Sequence, residues 1–118
     1  MRKVKTLKKN YEFKNVLEKG KYSVNTQIIV YAKKNKLGYN RIGIAIGSKL
    51  GHAVVRNHLK RLIREAYYKN VRKMELKNEE NSYYYDFVVL WNKKSKVEDA
   101  SFYCIDNDFN MALKKLKI

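Results

Sequence analysis

Apolar residues recur along the chain at spacings that change from one segment to the next, and each spacing predicts an element. In the first segment, NYEFKNVLEKG, the residues Phe13, Val16 and Leu17 share one side at helical spacing. Asn10 is suited to the N-cap position, and Gly20 falls just past the last helical residue. The pattern predicts a short amphipathic helix.

Two segments downstream have the composition of β-strands. YSVNTQIIVYAKK, residues 22–34, is rich in β-branched and aromatic residues and predicts one strand. In RIGIAIGSK, isoleucines alternate with Gly43, Ala45 and Gly47, so one face of this strand is bulky and the other is nearly bare. A bare face allows either close packing by another element or close approach of a ligand, and the sequence leaves both open.

The second half of the chain predicts a long helix, a buried strand and a final helix. The long helix starts in RNHLKRLIREAYY, residues 56–68, and continues to about residue 75. YYYDFVVLW is an uninterrupted apolar run, typical of a strand buried on both faces and compatible with a parallel neighbour. Ser95 and Ser101 are rival N-caps for the last helix. The elements together predict an α/β domain, in which helices pack on one sheet.

The size and composition of the chain indicate a folded protein. A chain of 118 residues suits one domain, so we expect a single unit over residues 1–118. With 45% hydrophobic and 13% aromatic residues, the chain has enough apolar surface to offset the entropy lost on folding. This composition argues against a disordered basic tail.

Cysteine and histidine usage argues against disulfide and metal sites. Cys104 is the single cysteine, so an internal disulfide is impossible and no Cys/His set has metal-ligand spacing. His52 and His58 have no carboxylate or cysteine nearby in sequence with which to form a site. No signal-peptide core or long apolar span occurs. We therefore expect a cytoplasmic protein that neither crosses nor anchors to a membrane.

The net charge points to a polyanionic partner. Lys and Arg number 27 against 11 Asp and Glu, which gives a formal net charge of +16. Residues 1–78 carry 21 of the basic groups but only 4 of the acidic ones, so the excess lies in the first two thirds of the chain. Such clustering is typical of nucleic-acid-binding proteins.

The long helix divides into a charged arc and an aliphatic arc. At about 100° per residue, one arc holds Arg56, Asn57, Lys60, Arg61, Arg64, Tyr67 and Tyr68. The opposite arc holds Val55, Leu59, Leu62, Ile63 and Ala66 and is expected to pack on the sheet. Like charges four residues apart repel each other. An anionic ligand explains such a face better than helix stability does.

The residue types of the charged arc suit RNA. Arginine presents a planar fork to phosphate and stacks on bases, and an asparagine amide reaches base edges or 2′-hydroxyls. Phe13 and Tyr31 lie in basic surroundings and are candidates for stacking on unpaired bases, or else ordinary core aromatics. No phosphate-binding glycine loop or nucleophile motif occurs. The residues thus predict an RNA-binding protein without an active site of its own.

One long segment resembles a known family. IGIAIGSKLGHAVVRNHLKRLIREAYY is similar to the signature region of the protein component of bacterial ribonuclease P, and LKKNYEFKNVLEKG, VYAKK and DFVVL match its other elements. The resemblance implies an αβββαβα sandwich (α+β class) like the second domain of ribosomal protein S5. It also implies a left-handed βαβ crossover, contrary to the usual handedness.

The resemblance also implies a function. The protein would be a subunit of the ribonuclease P endoribonuclease and would assemble with its catalytic RNA, which removes the 5′ leader of precursor tRNA. The chemistry would be carried by Mg²⁺ held mainly by the RNA. The protein would contribute no catalytic residue and no metal ligand, and it would need no obligate protein partner.

Site residues follow from the resemblance position by position. Contacts to RNA fall on Lys49, Arg56, Asn57, Lys60, Arg61 and Arg64, and contacts to the leader fall on Phe13 and Tyr31. Three positions depart from the family pattern: Ser48 replaces a lysine, His58 an arginine, and Leu17 a frequent aromatic residue.

Two other functions are compatible with parts of the sequence. A double-stranded RNA-binding domain or ribosomal protein would share the helix–strand–strand start, but it would leave YYYDFVVLW without a role. A basic amphipathic helix can also bind a membrane surface. That alternative is weakened because the aliphatic arc of the helix is needed for the core.

Overall fold

The elements follow the predicted αβββαβα order. The structure is a computed structural model that describes residues 4–77 and 83–118; residues 1–3 and 78–82 of the expected single domain lie outside the described residues. The helices and strands are α1 (Asn10–Lys19), β1 (Lys21–Val24), β2 (Ile28–Asn35), β3 (Arg41–Ala45), α2 (Ala53–Lys77), β4 (Tyr84–Trp91) and α3 (Phe102–Lys115). Short 3₁₀ helices occur at Ser48–Leu50 and Val97–Asp99.

The four strands form one mixed sheet in the order β1-β2-β4-β3. β2 is antiparallel to both of its neighbours, whereas β3 and β4 are parallel. Thr6 adds a parallel bridge to Ile42 at the outer edge of β3. The apolar run of β4 is therefore an interior strand with a parallel neighbour, as the sequence indicated, and it has the central role that a double-stranded RNA-binding domain would not give it.

The prediction of one strand over residues 22–34 is wrong, because this segment folds into a hairpin. β1 and β2 pair in antiparallel register, with Val24 opposite Ile29. The turn is held by the buried carboxylate of Asp108 in α3, which accepts the backbone N–H of Gln27 at 2.7 Å and of Ile28 at 3.2 Å. A turn fixed by a residue 80 positions away leaves no local signal.

The β3-α2-β4 connection is left-handed. The Ile42 side chain packs in the same core as α2, while its N–H and C=O bond to Lys5 and Leu7 at the outer edge of β3. Consider the sheet viewed with α2 in front and β3 running upward. In this view, an L-residue whose side chain faces the viewer directs its N–H and C=O groups to the right. Lys5 and Leu7 thus lie to the right of β3 and β4 to its left, opposite to the usual right-handed crossover.

The main core lies between the sheet and the two longer helices. Its largest fully buried side chains come from β2, β3, β4, α2 and α3, namely Ile28, Val30, Ile42, Leu59, Ile63, Val71, Phe87, Val89, Ile105 and Phe109. Tyr67 belongs to this core, at 5% exposure, with its ring edge-on to Phe87 and Phe109. The prediction that Tyr67 faces outward is therefore wrong.

The buried side of α2 differs from the predicted arc because it changes along the helix. Tyr67 borders the aliphatic arc on the helical wheel, and from this residue onward Asn70, Val71 and Met74 are also buried. At the start of α2, Val55 was expected to pack inward but is 37% exposed. The sheet and α3 cover only part of the helix at each level, so the buried side changes from one turn to the next.

α1 and the segment before it cover part of the opposite face of the sheet. Val16 packs with Leu7 and Val88 in a second, smaller core. The ring of Phe13 lies directly over Gly43, where a Cβ atom would come within 2.6 Å of the ring. At Gly43, the bare face of β3 is therefore used for close packing by α1. Ala45 and Gly47, on the same face, remain exposed.

The helix caps agree with the sequence in part. α3 begins after Ser101, whose Oγ accepts the N–H of Cys104 at 3.2 Å, so Ser101 rather than Ser95 is the N-cap. α1 has Lys9, not the predicted Asn10, at its N-cap position. The carboxylate of Glu12 reaches back to accept the N–H groups of Lys8 and Lys9, which removes the need for a capping side chain at residue 10.

Replacing Gly43 with Ala is expected to lower the free energy of unfolding by about 1–3 kcal/mol, because the added methyl displaces the Phe13 ring from the sheet. Gly47→Ala is the matched control, since no heavy atom lies within 4 Å of its Cβ position. Urea denaturation of both variants measures the difference. Equal stability of the two would show that Phe13 is not fixed against β3.

Candidate nucleic-acid interface

Five of the predicted RNA-binding residues form one polar stripe on the first half of α2. Asn57, Arg61 and Arg64 are exposed, and Arg56 and Lys60 are half-buried. These five residues are called the α2 stripe. Lys49, the sixth predicted residue, is exposed in the 3₁₀ helix that leads into α2.

The cations of the α2 stripe have no ion-pair partner in the part of the chain that the structure describes. In the described ranges, no carboxylate forms an ion pair with Arg56, Lys60, Arg61 or Arg64. Arg56 donates its Nε–H to the carbonyl of Gly51 at 3.2 Å, which leaves its remaining guanidinium N–H groups available. The first turn of α2 contains no acidic residue, although the helix dipole would favour one there. An anionic ligand would relieve both deficits.

The α2 stripe faces the β3 edge of the sheet and points away from α3. On the other side of α2, Lys69 and Asn70 bond to Asp106 of α3 at 3.0 and 2.8 Å. Arg64 lines a shared surface depression with Thr6, the residue that bridges to β3. The α2 stripe therefore borders β3, the edge strand along which the segment before α1 runs.

The second candidate surface is a groove on the α1 face of the sheet. Strand pairing places one residue of each strand side by side in a row across the sheet, namely Val24, Ile29, Leu90 and Ala45. This row and the adjoining side of α1 are called the sheet groove. Tyr31 and Phe13 border it from β2 and α1, and both are half-buried against the Val88 cluster. The structure thus gives each aromatic a packed side and an exposed side.

An ion network fixes the start of α1 on the sheet. The guanidinium of Arg41 binds both carboxylate oxygens of Asp86, at 2.8 and 2.7 Å, and also donates to Glu12. Asn35 donates to the same Asp86 at 2.8 Å. The N–H groups of Lys9 and Lys8, together with Arg41, lower the pKa of Glu12 to about 2. The network holds α1 above β3 and β4, and hence holds Phe13 at the groove.

The sequence did not identify Arg41 or Asp86 as structural determinants of this surface. Asp86 is the one charged residue inside the apolar run of β4, which is a signal for a buried pair, but nothing local identifies its partner. Parallel pairing of β3 with β4 places Arg41 directly beside Asp86. Only the sheet register brings the two residues together.

The described residues meet neither the requirements of a metal-ligand cluster nor those of a membrane-spanning helix. Across residues 4–77 and 83–118, no three His, Cys, Asp or Glu side chains lie close enough to hold a metal ion. The same part of the chain contains no helix that is long and apolar enough to cross a bilayer. The surfaces are basic and aromatic, which is the chemistry of RNA recognition.

Comparison with known proteins identifies the family. The family model described as Ribonuclease P matches residues 1–117. The chain belongs to the ribonuclease P protein family. The ribonuclease P protein component of Clostridioides difficile is 36% identical over 116 residues, covering 98% of this chain and 95% of the relative. That of Thermoanaerobacter sp. is 32% identical over 114 residues, covering 97% and 90%.

Solved ribonuclease P proteins share the fold. The Staphylococcus aureus protein has a TM-score of 0.75 at 32% identity, with 98% of both chains covered. The Thermotoga maritima protein has a TM-score of 0.72 at 29% identity, covering 98% of this chain and 96% of that one. The predicted αβββαβα fold and the predicted family are thereby confirmed. Membership supports the role of a protein subunit of ribonuclease P in tRNA processing, with the ribonuclease P RNA as partner.

Glu12→Gln is expected to destabilise this ribonuclease P protein at pH 7 by about 1–2 kcal/mol, because charged hydrogen bonds are weakened. The folded-state pKa of Glu12 lies below its usual value of 4.5. Its contribution is therefore complete above about pH 4.5 and decreases as the pH falls towards 2. Urea unfolding at pH 7 and pH 3 should show a smaller difference between wild type and variant at pH 3.

Glu18→Gln is the matched control for this measurement. Glu18 lies on the same helix, but its side chain is 60% exposed and 3.9 Å from Lys14. Such surface pairs contribute little, so we expect no change at either pH. A difference between Glu12→Gln and wild type that is the same at both pH values would contradict the low pKa of Glu12.

Proposed function

We propose that this subunit binds the catalytic RNA of ribonuclease P through Lys49 and the α2 stripe, and the 5′ leader of precursor tRNA in the sheet groove. In this way it supports Mg²⁺-dependent endonucleolytic removal of the leader in the cytoplasm. The observation that carries the proposal is the position of two surfaces on either side of the same edge strand, β3. One is a cationic helix face without ion pairs among the described residues, and the other is a half-open aromatic groove.

The α2 stripe has the chemistry required for a folded RNA. Three arginines, a lysine and an asparagine alternate along about two and a half helical turns. Arginine forks bind phosphate oxygens in pairs, and the asparagine amide between them can bond to a base edge or a 2′-hydroxyl. His58, which stands where the family has an arginine, is exposed and lies outside the stripe on the helical wheel. The stripe is complete without it.

The sheet groove suits a single strand better than a duplex. Its floor is a row of apolar side chains beside α1, and the aromatic residues Phe13 and Tyr31 at its border offer ring faces for stacking. Unpaired bases stack on such rings whatever their sequence, with about 1–3 kcal/mol per base. A leader of variable sequence requires this kind of contact.

The metal ions of the reaction are assigned to the RNA. The described residues provide no carboxylate cluster for Mg²⁺, and the groove and stripe are cationic or apolar. The protein contributes instead by screening the repulsion between RNA phosphates that must come together with the metal ions. This role predicts that the protein lowers the Mg²⁺ concentration needed for cleavage.

Reconstitution tests the proposed function. The protein mixed with its cognate ribonuclease P RNA at low Mg²⁺ should restore cleavage of the precursor tRNA leader, whereas the protein alone should cleave nothing. The products should carry a 5′-phosphate on the tRNA and a 3′-hydroxyl on the leader. Cleavage by the protein alone, or no effect on the RNA-catalysed rate, would refute the proposal.

Lys60→Ala and Arg64→Ala should each weaken binding to the ribonuclease P RNA, because each removes one phosphate contact. The plot of log affinity against log salt concentration should lose about one unit of slope per lost contact. Lys115→Ala, in the last turn of α3, removes a cation far from the stripe and serves as control. Identical slopes for all three variants and wild type would place the RNA elsewhere on the protein.

A further inference from the structure

Tyr22 has the geometry of a binding residue, although neither its spacing nor the family resemblance indicated it. It lies in β1, an edge strand that pairs only with β2. The side chain is 61% exposed, and its ring stacks on that of Tyr31 with centroids 5.2 Å apart and planes inclined by 29°. One side of the Tyr31 ring is therefore covered by Tyr22. The outer face of the Tyr22 ring remains exposed and can stack on an aromatic ring of a ligand.

Strand register places Tyr22 on the same face of the sheet as the groove. Tyr22, Tyr31, Val88 and Gly43 are successive partners across the four strands, so their side-chain directions agree. Phe13 covers the Gly43 end of this row, and Val16 covers Val88. Tyr31 and Tyr22 form the uncovered part of this row, and Tyr22 forms its end farthest from β3 and the α2 stripe. The adjoining groove row from Ala45 to Val24 spans three interstrand spacings, about 14 Å in all, which is long enough for more than one nucleotide.

The surroundings of Tyr22 favour RNA over an apolar protein partner. Lys19 at the end of α1 and Lys33, two residues beyond Tyr31 in β2, line a surface depression of about 420 Å³ at this end of the sheet. Lys21, Lys34 and Lys117 line the same depression from the α3 side. Among the described residues, none of these lysines forms an ion pair. A second copy of this chain would bring a like charge to the same surface. A phosphate backbone would be attracted to it while its bases reach the tyrosine rings.

We propose that Tyr22 stacks on a base of the precursor tRNA leader and extends the sheet groove onto β1. The inference rests on the proposed function, because it takes the leader as the strand in the groove. Tyr31 and Tyr22 then form a continuous aromatic platform, with Tyr31 supported by the small core and Tyr22 at the solvent edge. Lys19 and Lys33, at the edge of the same face, hold the backbone of the strand.

The test compares substitutions of Tyr22 in the reconstituted holoenzyme. Single-turnover cleavage at increasing holoenzyme concentration gives the apparent affinity for precursor tRNA, and competition gives that for mature tRNA. Tyr22→Ala should weaken precursor binding about fivefold, the factor expected from the low end of base–aromatic stacking. Tyr22→Phe should bind as wild type, because the ring is retained. Mature tRNA should bind equally to all variants.

Two further variants separate stacking from structure. Tyr22→Leu keeps an apolar cover over Tyr31 but has no ring, so it should share the loss seen with Tyr22→Ala. Tyr103→Ala removes a tyrosine that is 87% exposed on α3, on the opposite layer, and should change nothing. In a series of leaders lengthened by one nucleotide at a time, the Tyr22→Ala defect should appear at one length and persist at all greater lengths.

The outcomes distinguish this inference from the function on which it rests. If Tyr31→Ala weakens precursor binding but Tyr22→Ala does not, the leader lies in the groove and the inference about Tyr22 is wrong. If the wild-type holoenzyme shows no preference for precursor over mature tRNA, the leader-binding function itself fails. Weakening of mature and precursor binding by the same factor would show that Tyr22 only maintains the structure.

Discussion

The parallel pairing of β3 with β4 is the constraint on which the remaining structure depends. Two adjacent parallel strands require a crossover, and here the crossover is α2. The strand order places β3 at the edge of the sheet and β4 in its interior, and the left-handed connection decides which face of the sheet α2 covers. The same pairing sets Arg41 beside Asp86 and thereby anchors α1 on the opposite face. One register therefore determines the positions of both candidate RNA-binding surfaces.

The two faces of the sheet are covered to different extents. Two helices bury one face and provide most of the stability. α1 covers only part of the other face, where Gly43 allows Phe13 to pack against the backbone of β3. The uncovered part leaves an apolar and aromatic surface beside a helix, which a stable monomer would ordinarily bury. In a ribonuclease P protein, such a surface is suited to an unpaired strand of RNA.

Four of the eleven carboxylates of the chain are engaged in contacts that hold the fold together. Glu12 and Asp86 bind Arg41, Asp106 links α3 to α2, and Asp108 holds the turn between β1 and β2. Asp106 also pairs with the surface residue Lys69, but no described carboxylate pairs with the α2 stripe. The positive charge of the stripe therefore remains available to the RNA that is proposed to bind it.

The sequence by itself determined the local properties: where the three helices lie, the apolar run of β4, the cationic stripe of α2 and, through a long ordered motif, the family. It could not determine properties that depend on distant partners. The hairpin turn depends on Asp108, the burial of Tyr67 depends on rings from β4 and α3, and Tyr22 joins Tyr31 only through strand pairing. Hydrophobic periodicity shows which side of a helix or strand is apolar. Strand register and the β3-α2-β4 crossover determine which residues that side contacts. The tertiary structure alone therefore decided that stripe and groove flank one edge strand.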